Sequence, residues 1–321
     1  MRGLLVVSKY ESIRMLRKKS LYLFILLALL PLPVAVLLRS LFGERIEAGV
    51  RLAERLGVDY SRMWAVLLGI GSAPPQLAEI AGLFNLLGVT SLAGFVWLVA
   101  ILLGGDLLAG DLRDKLLHLV VIRPVRRAEY IAAKLIVVTL ELVILFAITG
   151  LVAYASMQVL IGGQAAPHEA VGFAVLLGLS ALPLLLTSSA LGAAFRNPTL
   201  GMVLGLVVYF ASAVVAALAA AFAAGLGAGN ATAPAEQMAR MVKLSYELQA
   251  YNPFSAGGLL ARCLYAQLHE EGVIRVPVVG APGGAVEIDA GGLASIAVLV
   301  FTASVLLLAL VNWVLVARRD L

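Results

Sequence analysis

The chain has 321 residues, of which 62% are hydrophobic and only 13% charged, and its mean hydropathy is +1.00. Because a soluble domain is closer to half apolar and a quarter charged, this composition excludes an ordinary soluble domain and indicates a protein of the lipid bilayer. The net charge of +5 comes without a basic, aromatic-interleaved groove, so no nucleic-acid partner is expected, and a single cysteine with three scattered histidines leaves no internal disulfide and no metal-ligand spacing.

Residues 1–20 are basic and predict a short amphipathic helix. Val6, Tyr10 and Ile13 fall on one helical stripe, which two basic residues interrupt. Two interpretations stay open: an elbow helix that lies in the membrane interface and is attracted to anionic membrane lipid, or a basic segment that only sets the topology.

Six long apolar segments follow, each of about 18–28 residues, and a helix of roughly 20 residues crosses a ~30 Å hydrocarbon core. Since no water satisfies the backbone there, the sequence predicts an all-α polytopic membrane protein with six transmembrane helices. No small-residue cleavage site follows the first segment, so it is interpreted as a retained span. Pro183 predicts a kink in the fourth span. The predicted spans are 21–38, 83–105, 130–157, 171–195, 199–226 and 291–317.

The distribution of Lys and Arg predicts the orientation. If the spans alternate, four short segments share one side and hold 15 of the 24 basic residues. These segments are 1–20, 106–134, 196–198 and 317–321. By the positive-inside rule this side is cytoplasmic, so we expect a multi-pass protein of the cytoplasmic membrane with both termini in the cytoplasm and with segments 39–82 and 227–290 outside.

Both predicted extracytoplasmic segments are long enough to have structure. In the first, residues 43–73 have apolar positions at helical spacing, which predicts one or two amphipathic helices on the outer face. In the second, the run ATAPAEQMARMVKLSYELQAY predicts a helix. The run VIRVPVVGAPGGAVEID contains two β-rich stretches around Ala-Pro-Gly-Gly and predicts a small hairpin.

The predicted cytoplasmic segment 106–134 concentrates charge between two hydrophobic stretches. Asp111 to Lys115 predicts a charged turn, and residues 116–122 predict a short helix that Arg123-Pro124 ends. The basic residues that follow would open the third span at the membrane surface. From the residues alone, a solvated loop anchored by snorkelling arginines and a docking surface for a protein partner both stay open.

The pattern D-x-R-D-x-L…L-x-x-x-R-P-x-x-R-x-E-Y-x-x-x-K in this segment resembles the cytoplasmic segment of type-2 ATP-binding-cassette (ABC) transporter permeases. That family carries an acidic residue, a Gly-Thr-Leu-like turn, an Arg-Pro-Val-x-Arg core and a Gly-Lys. The matching residues are Asp111, then Arg123, Pro124, Val125 and Arg127 in the core, then Glu129, Tyr130 and Lys134. Lys115 and Leu116 stand where Gly-Thr is common, and Ala133 stands where Gly precedes the lysine.

The resemblance implies a half-transporter, with an elbow helix over 1–20 and a permease domain over 21–321. Such a chain would dimerise with a second permease copy, identical or different, and bind two cytosolic ABC ATPase subunits through segment 106–134 as coupling helix. The residues to which the resemblance and the charge pattern assign ATPase coupling are Asp111, Arg113, Asp114, Lys115, His118, Arg123, Pro124, Arg126 and Arg127. Since the chain has no G-x-x-x-x-G-K-[ST] phosphate loop, we expect no enzyme here and no bound cofactor; ATP and Mg would bind to the partner ATPase.

The expected function is therefore that of an ABC permease, and of an exporter. Almost uncharged spans suit an amphiphile, a lipid or an apolar peptide better than a polar ion. Two alternatives stay open. The chain could be a mechanotransmitter that relays force to an extracytoplasmic partner without transport, or a nucleotide-independent membrane scaffold or channel.

Three positions inside the predicted spans are singled out. Glu141 is a lone carboxylate about 10 Å deeper than Lys134 along the third span. It could be neutral or paired with Arg196 or Lys134, or it could serve a substrate or a proton. Gly201 and Gly205 form a small-xxx-small pair in the fifth span, which predicts close helix packing within the protomer or along a pathway between two protomers.

Overall fold

The computed structural model describes residues 2–57, 59–71, 78–113, 127–164, 166–226, 234–277 and 285–317. Over these ranges the chain consists of helices, with one two-stranded antiparallel sheet. A short 3-10 helix, Leu92–Phe95, precedes α6. The other elements are α1 (Arg2–Leu16), α2 (Lys19–Leu29), α3 (Pro31–Arg55), α4 (Trp64–Leu67), α5 (Ala78–Thr90), α6 (Val96–Leu107), α7 (Ala109–Arg113), α8 (Arg127–Leu160), α9 (Pro167–Ser180), α10 (Leu182–Phe195), α11 (Pro198–Leu226), α12 (Pro234–Tyr251), α13 (Ala256–His269), β1 (Val273–Pro277), β2 (Ala285–Asp289) and α14 (Ala290–Ala317).

Six helical stretches in the described part of the chain are long and apolar enough to cross a membrane. They are Lys19–Arg55, Leu92–Leu112, Ala128–Leu160, Pro167–Phe195, Pro198–Phe222 and Ala290–Ala317. Their most apolar windows have mean hydropathies of 2.1 to 2.7, as expected for helices surrounded by lipid. This confirms the predicted helical, multi-pass membrane protein. The side on which each terminus lies and the place of α1 at the membrane surface stay predictions.

The boundaries of the second span differ from the predicted 83–105. The helix is interrupted at Ser91, whose backbone is extended at φ −77° and ψ 140°. Its hydroxyl oxygen accepts a hydrogen bond from the backbone N–H of Ala93 at 3.2 Å and so caps the following turn. The membrane-length stretch therefore covers Leu92–Leu112, because a local serine cap competes with an otherwise continuous apolar run.

The first span is also longer than predicted. Its helix does not end at residue 38; α3 continues to Arg55 with one non-helical residue, Phe42, at φ −124° and ψ 15°. The residues past this kink are mostly good helix formers, and no proline breaks them. The helix predicted within 43–73 is thus confirmed as far as Arg55, as a continuation of the membrane helix, and α4 adds one further turn.

The fourth span contains the predicted kink. α9 ends at Ser180, Ala181 has φ −83° and ψ −3°, and α10 then begins with Pro183 in its first turn. Proline lacks the N–H that would continue the hydrogen-bond ladder of α9, whereas it fits the first turn of a new helix. The sequence prediction is confirmed, and the proline marks the start of a second helix.

The chain divides into two compact units. The first unit contains residues 8–96 and 136–179, and the second contains residues 1–7, 97–135 and 180–321. The long helix α8 contributes its first residues to the second unit and the rest to the first unit.

In the first unit, α3 and α8 are joined where α8 ends. The Arg39 guanidinium donates one hydrogen bond to the backbone oxygen of Leu160 at 2.5 Å and another to Glu47 at 2.8 Å. Arg39 therefore satisfies a carbonyl at the C-terminus of α8, where a positive charge is also favoured by the helix dipole. Nearby in the same unit, the fully buried Trp64 packs against Phe173, with 6.0 Å between the ring centroids.

In the second unit, glycines bring α10 and α11 into close contact. A Cβ placed on Gly201 would lie 2.5 Å from the Cα of Gly192, and one on Gly205 would lie 3.0 Å from the Cβ of Ser188. The Ser188 hydroxyl donates to the backbone oxygen of Gly201 at 3.1 Å across the same contact. The small-xxx-small pair therefore packs against α10 within the protomer, and a place along a pathway between two protomers stays a prediction.

Residues 234–277 and 285–289 of the second unit form a small layer against the start of α14. The predicted helix is α12, and the predicted hairpin is β1–β2, with Val273 opposite Asp289 and Pro277 opposite Ala285. Their common core is apolar and includes Leu259, Cys263 and Ile288, each at most 3% exposed. The predicted helical and hairpin elements are confirmed for residues 234–277 and 285–289.

Candidate functional site

The structure describes only the two ends of the predicted coupling segment. Asp111 and Arg113 lie in α7, and Arg127 is the first residue of α8. The other residues assigned to ATPase coupling lie outside the described residues, and so does the short helix predicted over 116–122. These are Asp114, Lys115, His118, Arg123, Pro124 and Arg126.

Asp111 is buried, which contradicts the prediction of a charged turn that faces the cytoplasm. It lies in the helical turn α7 and is 1% exposed. One of its carboxylate oxygens, Oδ2, lies 2.5 Å from the Nζ of Lys134 and also accepts a hydrogen bond from the hydroxyl of Tyr130. Asp111, Tyr130 and Lys134 thus form a buried cluster, which we call the base clamp.

Lys134 is also buried, although the sequence placed it at the membrane surface. Its side chain is 2% exposed. Its ammonium donates a second hydrogen bond to the backbone oxygen of Leu107 at 2.6 Å and lies 5.4 Å from the centre of the Tyr130 ring. Lys134 therefore neutralises Asp111, satisfies a carbonyl where α6 ends, and makes a cation–π contact.

Local geometry explains why these three side chains meet. Tyr130 and Lys134 are four residues apart on α8, so they project from the same face of that helix. α6 ends at Leu107, and the short turn α7 then directs Asp111 back toward α8. The base clamp consequently joins the last turn before segment 114–126 to the first turns after it.

The environment of the base clamp makes it a strong structural element. Exposed ion pairs contribute about 0–1 kcal/mol, whereas the removal of one partner from a buried pair costs about 3–5 kcal/mol. With both charged side chains 2% exposed, the Asp111–Lys134 pair belongs to the second class. The pair and the Tyr130 hydrogen bond join α7 to the first turns of α8.

Glu141 lies deeper on α8 and differs from Asp111. It is 8% exposed, and neither carboxylate oxygen has a hydrogen-bond partner among the residues that the structure describes. The predicted pairing with Lys134 is wrong, because the ammonium of Lys134 is held by Asp111. Arg196 does not hydrogen-bond to Glu141 either.

Sequence reasoning missed the role of Tyr130, which was singled out only as part of the family-like pattern. The signal that could have shown it is the spacing of four between Tyr130 and Lys134, together with an acidic residue at the other end of the segment.

No group of three or more His, Cys, Asp or Glu side chains that could hold a metal lies together in the described ranges. The sequence matches no protein-family model and no characterised protein.

Proposed function

We propose that this chain is the membrane-spanning permease subunit of an ABC exporter that works as a dimer with two cytosolic ATPase subunits. Six helical spans and the type-2 permease-like pattern of residues 111–134 support the proposal. The observation that carries it is the base clamp, because it links both ends of the segment that would receive force from the ATPase. ATP and Mg would bind to the partner, and the protein would lie in the cytoplasmic membrane.

The base clamp gives this proposal a mechanical basis. When ATP closes the partner subunits, segment 114–126 would be displaced. Because Asp111 is joined to Lys134 and Tyr130, the displacement would reach α6–α7 and α8 together and not only one of them. The spans would then exchange between inward-facing and outward-facing arrangements whose balance nucleotide sets.

Exposed apolar surfaces support the expected partners. One face of α11 packs against α10, but side chains on other faces of α11 are exposed, among them Val207 at 56%, Val214 at 55% and Phe222 at 72%. Membrane lipid and a second permease copy are the partners that such a surface suits in a bilayer. Since the spans carry few charges, an amphiphilic or lipid-like cargo is the substrate class that we propose.

The test is affinity purification of the tagged protein in mild detergent, followed by identification of bound ATPases. In a variant with Arg126→Glu and Arg127→Glu we expect the ATPase to be lost or its activity to be uncoupled from transport. The matched control is Arg51→Glu with Arg55→Glu, since both of these arginines are exposed on α3. Unchanged assembly and transport in the first variant would contradict the docking role, and a complex without any ATPase would favour a scaffold or channel.

A mechanotransmitter is a second candidate, and the layer formed by α12, α13 and the hairpin favours it. This layer has its own apolar core around Cys263, so it provides a folded surface to which a partner could bind. A stable complex with an extracytoplasmic protein, together with ATPase activity that no substrate stimulates, would support this candidate over the exporter.

A further inference from the structure

Glu141 combines burial with the absence of a compensating contact. Its side chain lies in the apolar part of α8, seven residues or about 10 Å beyond Lys134. Both carboxylate oxygens lack a hydrogen-bond partner among the described residues. A buried carboxylate without a partner is costly in a membrane, and such residues commonly mark a substrate or ion pathway. Nothing in the base clamp depends on Glu141.

The surroundings of Glu141 restrict what could bind there. Val138 and Leu142, two neighbours on the same helix, are apolar and fully buried. Mg²⁺ and Ca²⁺ take six or more oxygen ligands, and no acidic or histidine cluster lies together in the described ranges. A single carboxylate in apolar surroundings instead fits a ligand that has one positively charged N–H donor group and an apolar body.

We propose that Glu141 binds the ammonium group of a cationic amphiphile and thereby anchors the cargo. This inference rests on the proposed transport function and narrows its substrate class from amphiphiles in general to alkylammonium compounds. The ammonium would donate to the carboxylate oxygens that have no other donor, and its alkyl chain would lie against the apolar spans. Charge-assisted hydrogen bonds of this kind are the stronger ones in proteins.

The test is equilibrium binding of radiolabelled dodecylammonium to the full-length protein in phosphatidylcholine nanodiscs, with dodecanol as the uncharged probe. We expect a saturable component in the wild type that Glu141→Gln weakens at least about tenfold, since a hydrogen bond to a charged group is lost. The control is Glu44→Gln, which removes the same charge from an exposed position on α3 and should leave binding unchanged. Dodecanol should show only partition into lipid.

Three results would overturn the inference. They are the lack of a saturable component in the wild type, equal binding by Glu141→Gln, and equal loss in Glu44→Gln. If Glu141→Gln does not fold, a hydrophobic carbodiimide can be used on the wild type, where it caps buried carboxyl groups. Capping at Glu141 should abolish the saturable component, and dodecylammonium, but not dodecanol, should protect this residue. Capping without protection would identify a proton site and contradict ammonium binding.

This outcome can be separated from that of the proposed function. Ammonium binding that requires Glu141 in a complex without an ATPase would support the site and refute the ABC assignment. An ATPase that co-purifies with a protein whose dodecylammonium binding is independent of Glu141 would refute the site alone.

Discussion

The base clamp predicts a large, non-additive effect on stability. Lys134→Met would remove the ammonium from the buried Asp111 carboxylate, and Asp111→Leu would remove the carboxylate from the buried ammonium. The Tyr130 hydroxyl would still donate to Asp111 in the first variant, and the Leu107 carbonyl would still accept from Lys134 in the second. Because the charged side chains lie 2.5 Å apart and are both 2% exposed, each single change should lower the free energy of unfolding by about 3–5 kcal/mol.

The double variant Asp111→Leu with Lys134→Met should be less destabilised than the two single effects together. It removes both charges, and apolar replacement of a whole buried pair is often close to neutral. With single effects of about 3–5 kcal/mol each and a double variant close to neutral, the coupling free energy should be about 6–10 kcal/mol, whereas independent sites add to within about 0.5 kcal/mol. The double variant should fold, yet under the proposed function the ATPase activity of the partner subunits should no longer be coupled to transport, since the two helix ends are no longer joined by charge.

Cys263 provides the measurement. It is the one cysteine of the chain, it is fully buried, and it lies in the same unit as the base clamp. Denaturant titration with a thiol-reactive fluorophore would therefore report unfolding in every variant. Single effects below about 1 kcal/mol, or effects that add, would show that the pair is solvated and would refute the clamp as a structural element.

Two further predictions concern the same unit and its neighbour. Gly201→Ala should destabilise the protein by about 1–3 kcal/mol, because the new Cβ would lie 2.5 Å from the Cα of Gly192. Gly172→Ala, which has open space around its Cβ, should be neutral or slightly stabilising. Thermal unfolding of the two variants tests this, and equal effects would contradict the close helix contact. Burial raises the pKa of the Cys263 thiol to about 11. Alkylation of Cys263 in the native protein at pH 8 should therefore be far slower than alkylation of an unfolded thiol, and fast alkylation would contradict the burial. The free energy of unfolding should fall as the pH rises from about 9 to 11, because the thiol of the unfolded chain ionises first.

The sequence was sufficient for features that depend on short-range properties. Six apolar segments predicted six spans, because hydropathy over about 20 residues decides whether a helix is stable in lipid. Pro183 predicted the break in the fourth span, because the effect of a proline on the backbone is local. The β-rich runs around Ala-Pro-Gly-Gly predicted the hairpin, whose strands are close neighbours in the chain.

Features that depend on long-range contacts were not predictable. The hydroxyl of Tyr130 reaches Asp111 across 19 residues of sequence, and the pattern alone indicated surface charge at both ends of the segment. The burial of Lys134 followed from its partner and not from its position near the end of a span. The cap at Ser91 separates α5 from the second membrane-length stretch, which therefore begins at Leu92 and continues to Leu112. Hydropathy contains no information on which charge will find a partner.

The contacts of Asp111 and Glu141, which are both buried carboxylates, indicate different roles for them. Asp111 accepts hydrogen bonds from an ammonium and a hydroxyl, so its charge is compensated within the fold and its function is to hold two helix ends together. Glu141 is also buried, at 8% exposed, but neither of its carboxylate oxygens has a hydrogen-bond partner among the described residues. A fold that needed a negative charge only for stability would compensate it, as it does at Asp111. The ammonium site that we propose therefore uses the carboxylate that has no partner in the described structure, and a bound cation would offset the cost of burying its negative charge.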